Sequence, residues 1–313
     1  MSNSQKLDDD YALTVKVAEL FYIEQRNKSE IATVLGLSRF KVARILNHAS
    51  ESGIVRVTFH QPDPPQHPLA LELKMRFGLE HAVVITPEDN SPAALRAELG
   101  AAAAIFLERN VRPNEVLGVG WGRTTKAIAE AAPRLPHMSV VQLAGIAGHP
   151  GENSMELVRL FAEITGGAAY PLYCPLVAPD VLSARALRIG GTTGNTFKQY
   201  SRVSTAILPI GSWNPPNSQL RSFLAREDQE ALTQDGVVAE LGGILIDQNG
   251  KEVVNGLSER ILGIRHEELT KIKQVIAVAG HKSKNNAVLA VLRSRLISGL
   301  ITDAQVAKAL LRA

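Results

Sequence analysis

Four prolines fall within eight residues at Gln61-Pro62-Asp63-Pro64-Pro65-Gln66-His67-Pro68. Proline has no backbone N–H to give a helix or a sheet, and its φ is fixed, so this stretch reads as an extended, semi-rigid connector. It divides a chain of 313 residues, longer than the usual ~100–200 of one domain, into three parts. These are a small N-terminal domain at 1–60, a linker at 61–68 and a large domain at 69–313.

In the N-terminal part, Leu13, Val17, Leu20 and Phe21 recur at helical spacing and predict one amphipathic helix. A polar break, Gln25-Arg26-Asn27, precedes a second helix over about Ser29 to Leu35, which Gly36 ends. Ser38 stands where an N-cap belongs, and a third helix follows from Arg39 to about Ser50. Helix, glycine turn, helix is the helix-turn-helix arrangement. Ile31, Ala32 and Leu35 face inward on one arm, Leu37 plugs the turn, and Val42, Ile45, Leu46 and Ala49 line the other arm at i, i+3, i+4, i+7.

At about 100° per residue, the face opposite that stripe carries Phe40, Ala43, Arg44 and Asn47, with Ser38 and Arg39 at the helix start. Arginine can pair with guanine through two parallel donors and asparagine with adenine, while Phe40 or Ala43 can touch a thymine methyl. Lys28 and Lys41 lie off that face and suit phosphate contacts. Residues 28–56 hold five basic side chains (Lys28, Arg39, Lys41, Arg44, Arg56) against Glu30 and Glu51, a bias that the chain's net charge of +3 conceals. A three-helix module with a merely solvated basic face would share some of these features. The agreement of turn, inward face and basic outer face favours double-stranded DNA as a partner.

Beyond the linker, apolar strand-like runs alternate with helical stretches. Expected strands are Ala82–Thr86, Val116–Val119, Val140–Leu143, Ala206–Ile210, Gly243–Ile246 and Val275–Ala279; expected helices are Ala93–Glu108, Thr125–Ala132, Met155–Thr165, Asn286–Leu296 and Ala304–Leu311. Such alternation predicts a doubly wound, mainly parallel α/β domain with ligands at the carboxyl ends of strands. One strand end runs Gly118-Val119-Gly120-Trp121-Gly122-Arg123-Thr124-Thr125. Glycines and a helix start there would admit an anion, although a tight strand-to-helix turn would call for the same glycines. The loop is neither a dinucleotide fingerprint nor a Walker loop. A second strand end, Gly280-His281-Lys282-Ser283-Lys284, offers glycine and point charges in the same way.

Forty-five per cent hydrophobic residues suffice for a large core. The single cysteine, Cys174, excludes an intramolecular disulfide and a cysteine-cluster metal site. No apolar run approaches the ~20 residues of a bilayer span, and the polar, acidic N-terminus is unlike a secretory signal. A cytoplasmic protein with no membrane partner is expected. His60 and His67 are too isolated for metal binding, so no metal and no cofactor is expected.

The run Ser29-Glu30-Ile31-Ala32 … Leu35-Gly36-Leu37-Ser38-Arg39-Phe40-Lys41-Val42-Ala43-Arg44-Ile45-Leu46, closed by Gly53-Ile54-Val55-Arg56-Val57 read as a short strand, resembles the DNA-binding domain of the SorC family of sugar-responsive bacterial regulators. The resemblance continues through Gly118–Thr125, Val140–Gly145, Gly236–Gly250, Ala279–Lys284 and Leu300–Asp303. It implies a sugar-phosphate isomerase-like fold, a tetramer, and repression of carbohydrate genes relieved or imposed by a sugar, polyol or sugar-phosphate effector. It would put a phosphate on Gly120, Trp121, Gly122, Arg123, Thr124 and Thr125 and near Gly280, His281 and Lys284, with Gln142 and Glu240 along the sugar. Some members carry, where this chain has Ala144, a lysine that can bond an aldehyde, so alanine implies reversible binding. Glu240 and His281 stand where Asp and Gly are commoner. The same fold also hosts sugar-phosphate isomerases and transferases, for which Glu240 and His281 would be the acid/base pair. Without another catalytic pattern, and with a DNA-binding module attached, no catalytic residue is assigned.

Overall fold

In a computed structural model of the chain, the described residues are 3–55, 67–89, 91–146 and 154–313, with residues 3–10 described by their backbone alone. The chain forms two compact units, Met1–Pro64 and Pro65–Ala313. The division falls inside the proline segment, whose residues 61–66 lie outside the described ones.

The first unit contains α1 (Asn3–Ala18), which runs into a π-helical turn at Glu19–Ile23, then α2 (Lys28–Leu35) and α3 (Arg39–Glu51). Asn27 starts α2 with a reciprocal capping box: its side chain accepts from the Ser29 and Glu30 amides, and the Glu30 carboxylate accepts from the Asn27 N–H. Such a cap stabilises a helix by about 1 kcal/mol. Gly36 ends the helix at φ +63°, a left-handed conformation that a Cβ would strain. Ser38 Oγ accepts from Lys41 N at 3.1 Å and starts α3. Val17, Leu20, Ile31, Ala32, Val42 and Leu46 are buried together as this unit's core. The strand expected after α3 does not start within the described residues. Ile54 and Val55 form a bend tied back by Val55 N to Ala49 O at 2.9 Å, and Arg56 and Val57 lie outside them.

The second unit runs α4 (Pro68–Phe77), β1 (His81–Ile85), α5 (Pro92–Asn110), β2 (Val116–Val119), α6 (Arg123–Ala131), β3 (Ser139–Gln142), α7 (Ser154–Thr165), β4 (Ala169–Tyr170), α8 (Val181–Ile189), α9 (Gly191–Gln199) and β5 (Thr205–Ser212). It continues with α10 (Gln219–Phe223), α11 (Arg226–Gln234), β6 (Val237–Leu241), β7 (Ile244–Asp247), α12 (His266–Leu269), β8 (Gln274–Val278), α13 (Asn285–Ser294), β9 (Gly299–Asp303) and α14 (Ala304–Arg312). The sheet order is β1-β9-β8-β5-β2-β3-β4, all parallel, with the antiparallel β6–β7 hairpin added to the end of β5.

Successive side chains of a strand point to opposite faces, and both faces here are apolar. Leu117, Val119, Ile207, Ile276, Val278 and Ile301 pack with residues of α5, α6 and α7. Their neighbours Val116, Ala206, Leu208, Val275, Ala277 and Leu300 pack with residues of α4, α9, α13 and α14. Burial on both faces explains why the central strands read as continuous hydrophobic runs. It also confirms the expected mainly parallel, doubly wound architecture.

Candidate functional site

The sheet order reverses at β2, whose neighbours are β3 on one side and β5 on the other. Open α/β sheets bind ligands in the crevice outside the strand ends at such a switch. A cavity of about 200 Å³ lies there, below the ~300–1,000 Å³ usual for larger ligands. Its floor is made by Gly120, Trp121, Gly122, Arg123 and Thr124 after β2 and by Pro209, Ile210 and Gly211 of β5. Arg96 and Leu99 of α5, Glu240 of β6, and Gly280, His281, Ser283 and Lys284 after β8 wall it.

Helix α6 begins at Gly122 with no side-chain cap, so its first amides face the cavity end of the helix undiverted. The N-terminus of a helix favours anions. Lys284 donates from Nζ to the carbonyl of Ile210 at 2.7 Å. Burial brings its ammonium down to about 8, opposed by the Glu240 carboxylate and reinforced by Arg123 and Arg96.

Glu240 pairs across the hairpin ladder with Gly211. The missing side chain matters: a Cβ on Gly211 would lie 2.6 Å from Glu240 Oε2 and 2.9 Å from Ser218 Cβ. The carboxylate therefore folds over bare backbone. Its Oε1 accepts from Gly243 N at 2.9 Å and its Oε2 from the Ser218 hydroxyl at 3.1 Å. Burial raises the Glu240 carboxyl, and those two donors together with Lys284 hold it back down.

Of the expected effector residues, Gly120, Trp121, Gly122, Arg123, Thr124, Glu240, Gly280, His281 and Lys284 meet around this cavity. Two do not. Gln142 is buried, and its carboxamide bridges backbone: Nε2 donates to Ala144 O at 2.6 Å, and Oε1 accepts from Leu172 N at 3.1 Å. It braces the chain after β3 rather than lining the cavity. Thr125 is turned into the interior, where its hydroxyl has no hydrogen-bond partner among the described residues. Ala144 is likewise outside the lining, buried with Trp121, Leu176 and Trp213 and bridged to Gly263. Lys282, the other lysine of the turn, is exposed.

Sequence reasoning missed Arg96, Leu99, Ser218 and Gln219. Arg96 sits one turn into α5, whose N-cap is Ser91. Nothing in that helix's pattern announces a cavity, because the β8 end that completes the wall comes from far along the chain.

In the first unit, Arg39, Phe40, Lys41, Arg44 and Asn47 are exposed on α3 and Ala43 is half-buried between them; Phe40 is 90% exposed. An aromatic ring so open on a basic helix face is the arrangement expected of a base-edge reader. Ser38 spends its hydroxyl on the cap. Lys28 is half-buried, with Nζ 5.9 Å from the Phe21 ring centroid.

The two architectures match known proteins. Residues 65–312 fit the family described as "Putative sugar-binding domain". The chain is 27% identical over 314 residues to the sorbitol operon regulator of Klebsiella pneumoniae, covering 97% of this chain and 99% of the relative. It is 28% identical over 310 residues to the erythritol catabolism regulatory protein EryD of Brucella abortus, covering 97% and 98%. The crystal structure of full-length SorC from Klebsiella pneumoniae superposes with a TM-score of 0.74 at 23% identity, over 96% of this chain and 99% of that one, and so shares the fold. These relatives are named as regulators, not as isomerases or transferases, and they support the regulator reading. The chain belongs to the SorC family of sugar-responsive transcription regulators, in which a helix-turn-helix precedes a sugar-binding domain.

Proposed function

We propose that this regulator represses carbohydrate genes from the cytoplasm, and that a phosphorylated sugar or polyol bound reversibly in the β2/β5/β8 cavity controls its grip on operator DNA. The observation that carries the effector class is charge. Among the described lining residues, Arg96, Arg123 and Lys284 are cationic and Glu240 is the one carboxylate. A phosphate monoester brings about −1.5 to −2, a charge that a mainly cationic lining favours, and the uncapped start of α6 favours the same anion. Glu240 remains to accept from a hydroxyl. Two relatives named for sorbitol and for erythritol, both polyols, support the polyol part of the reading.

On the DNA side, Arg44 and Asn47 read base edges with help from Arg39, Phe40 and Ala43, while Lys28 and Lys41 serve phosphates. Self-association, here taken as a tetramer, draws support from two large apolar side chains two turns apart on α8, Leu182 at 76% and Ile189 at 80% exposure. A patch of that kind favours self-association.

Thermal denaturation against sugars, polyols and their phosphates tests the effector reading. A ligand at 100 times its Kd stabilises by about 2.7 kcal/mol. Stabilisation by the phosphate esters and not by the free polyols is expected; no stabilisation by any phosphate ester overturns it.

A further inference from the structure

The turn after β8 contains a residue in the wrong backbone conformation for its type. His281 has φ +78° and ψ 134°, a region that a side chain disfavours and that glycine occupies freely. Strain of this kind is retained where the surroundings over-determine it, commonly at ligand clamps. Here the surroundings are explicit. The His281 N–H donates to Asp303 Oδ2 at 2.7 Å, and the buried Asp303 carboxylate also caps α14 through Gln305 N at 2.8 Å and Val306 N at 3.0 Å. The ring is fixed as well. Ser283 N donates to His281 Nδ1 at 3.3 Å, and the Ser283 hydroxyl lies 2.8 Å from the same nitrogen.

A backbone N–H can only donate, so Nδ1 is an acceptor and the neutral ring carries its proton on Nε2. That N–H has no hydrogen-bond partner among the described residues, on a ring that lines the cavity. Glycine at this position would have avoided the strain, whereas histidine puts a fixed donor and added bulk into a small cavity.

We propose that His281 is a specificity-determining residue, whose Nε2–H donates to an oxygen of the bound ligand and whose ring restricts the cavity to small phosphorylated sugars and polyols. The inference rests on the effector reading above. It goes further in assigning the donor and the size limit to one side chain held on a strained backbone.

Three variants of the full-length protein test it, with melting temperature and calorimetric affinity as readouts. The probes are inorganic phosphate, glycerol 3-phosphate, ribose 5-phosphate and fructose 6-phosphate. His281→Gly relieves the strain, so the ligand-free protein should melt about 2–4 °C higher, while affinity for the best sugar phosphate falls about tenfold, the worth of one hydrogen bond. Its preference should also shift toward the larger esters. His281→Asn keeps a short acceptor for Ser283 N but lacks the reach of Nε2, and should lose affinity as the glycine variant does. His281→Gln restores a donor at similar reach and should regain most of it.

If all three variants bind the probes as the native protein does, the proposal is wrong while the effector reading stands. If the glycine variant melts lower than the native protein, the strain on which the proposal rests is absent. If the native protein binds none of the esters, both readings fall together.

Discussion

The Nζ of Lys284 lies 2.7 Å from the main-chain oxygen of Ile210, tethering a cation from the turn after β8 to the central strand of the sheet. The tether fixes a charge where burial has already brought its pKa from 10.5 to about 8. Between those two values the unfolded chain keeps a proton that the folded chain has released. This group therefore opposes folding at neutral pH, and its penalty disappears as pH rises from about 8 to 10.5.

Lys284→Met should accordingly flatten part of the pH dependence. In urea denaturation at pH 7 and pH 10, the native protein should gain a contribution on rising pH that the variant lacks. Affinity for phosphate esters should move the other way, weakening as Lys284 loses its charge through about pH 8. A native protein and a variant with identical slopes would show that Lys284 stays charged in the fold.

Gln142→Leu separates bracing from binding. The substitution leaves Ala144 O and Leu172 N unpaired in a buried position. Each such group costs about 1–3 kcal/mol, so a stability loss of about 2–6 kcal/mol is expected. The ligand-induced rise in melting temperature should persist, because Gln142 does not line the cavity. Loss of ligand response at unchanged stability would return Gln142 to the binding site.

Arg44→Ala and Lys28→Ala should differ on DNA. Arg44 is exposed on the outer face of α3, and its loss should cost about 1–3 kcal/mol on the cognate operator and relax base preference at one position. Lys28→Ala should weaken cognate and random DNA alike and reduce the salt slope by about 1. Titrations at several salt concentrations decide; equal effects of both variants on both DNAs would refute the division of faces.

Asp303→Asn should weaken the start of α14 and the His281 turn together, because Oδ1 serves the Gln305 and Val306 amides and Oδ2 serves His281. An amide nitrogen cannot accept from the amide it replaces an oxygen for. Stability should fall by about 1–3 kcal/mol, and affinity for the phosphate esters should fall with it. Lowered stability with unaltered affinity would show that the turn keeps its shape without this anchor.

Much of this architecture is legible in the sequence. Gly36 and Ser38 mark their turn by residue type alone, since one supplies a left-handed φ and the other a cap. Central strands such as Val116–Val119 announce themselves because both of their faces are buried. What escaped depends on tertiary context. Helix α9, Gly191-Thr-Thr-Gly-Asn-Thr-Phe-Lys-Gln199, has poor helix formers; its anchors lie elsewhere in the chain, with Phe197 buried in the core and Thr196 Oγ1 donating to Pro171 O at 2.8 Å. Strand β4 is two residues long, too short for any period. Gln142 lies outside the cavity lining; its position at the end of a strand fits a ligand contact as well as a brace, and the bond to Leu172, thirty residues on, is what marks the brace.

The shared carboxylate of Asp303 has a mechanical reading. A rigid turn, a carboxylate and a helix joined end to end behave as a lever: any displacement of His281 by an arriving ligand loads the root of α14. The tip of that helix is clasped by Arg76, which donates to Leu311 O at 2.6 Å from the last turn of α4. Helix α4 is the first element the chain enters after leaving its DNA-binding unit. Occupancy of a space of about 200 Å³ thus bears, through three short bonds and one helix, on the last turn of α4.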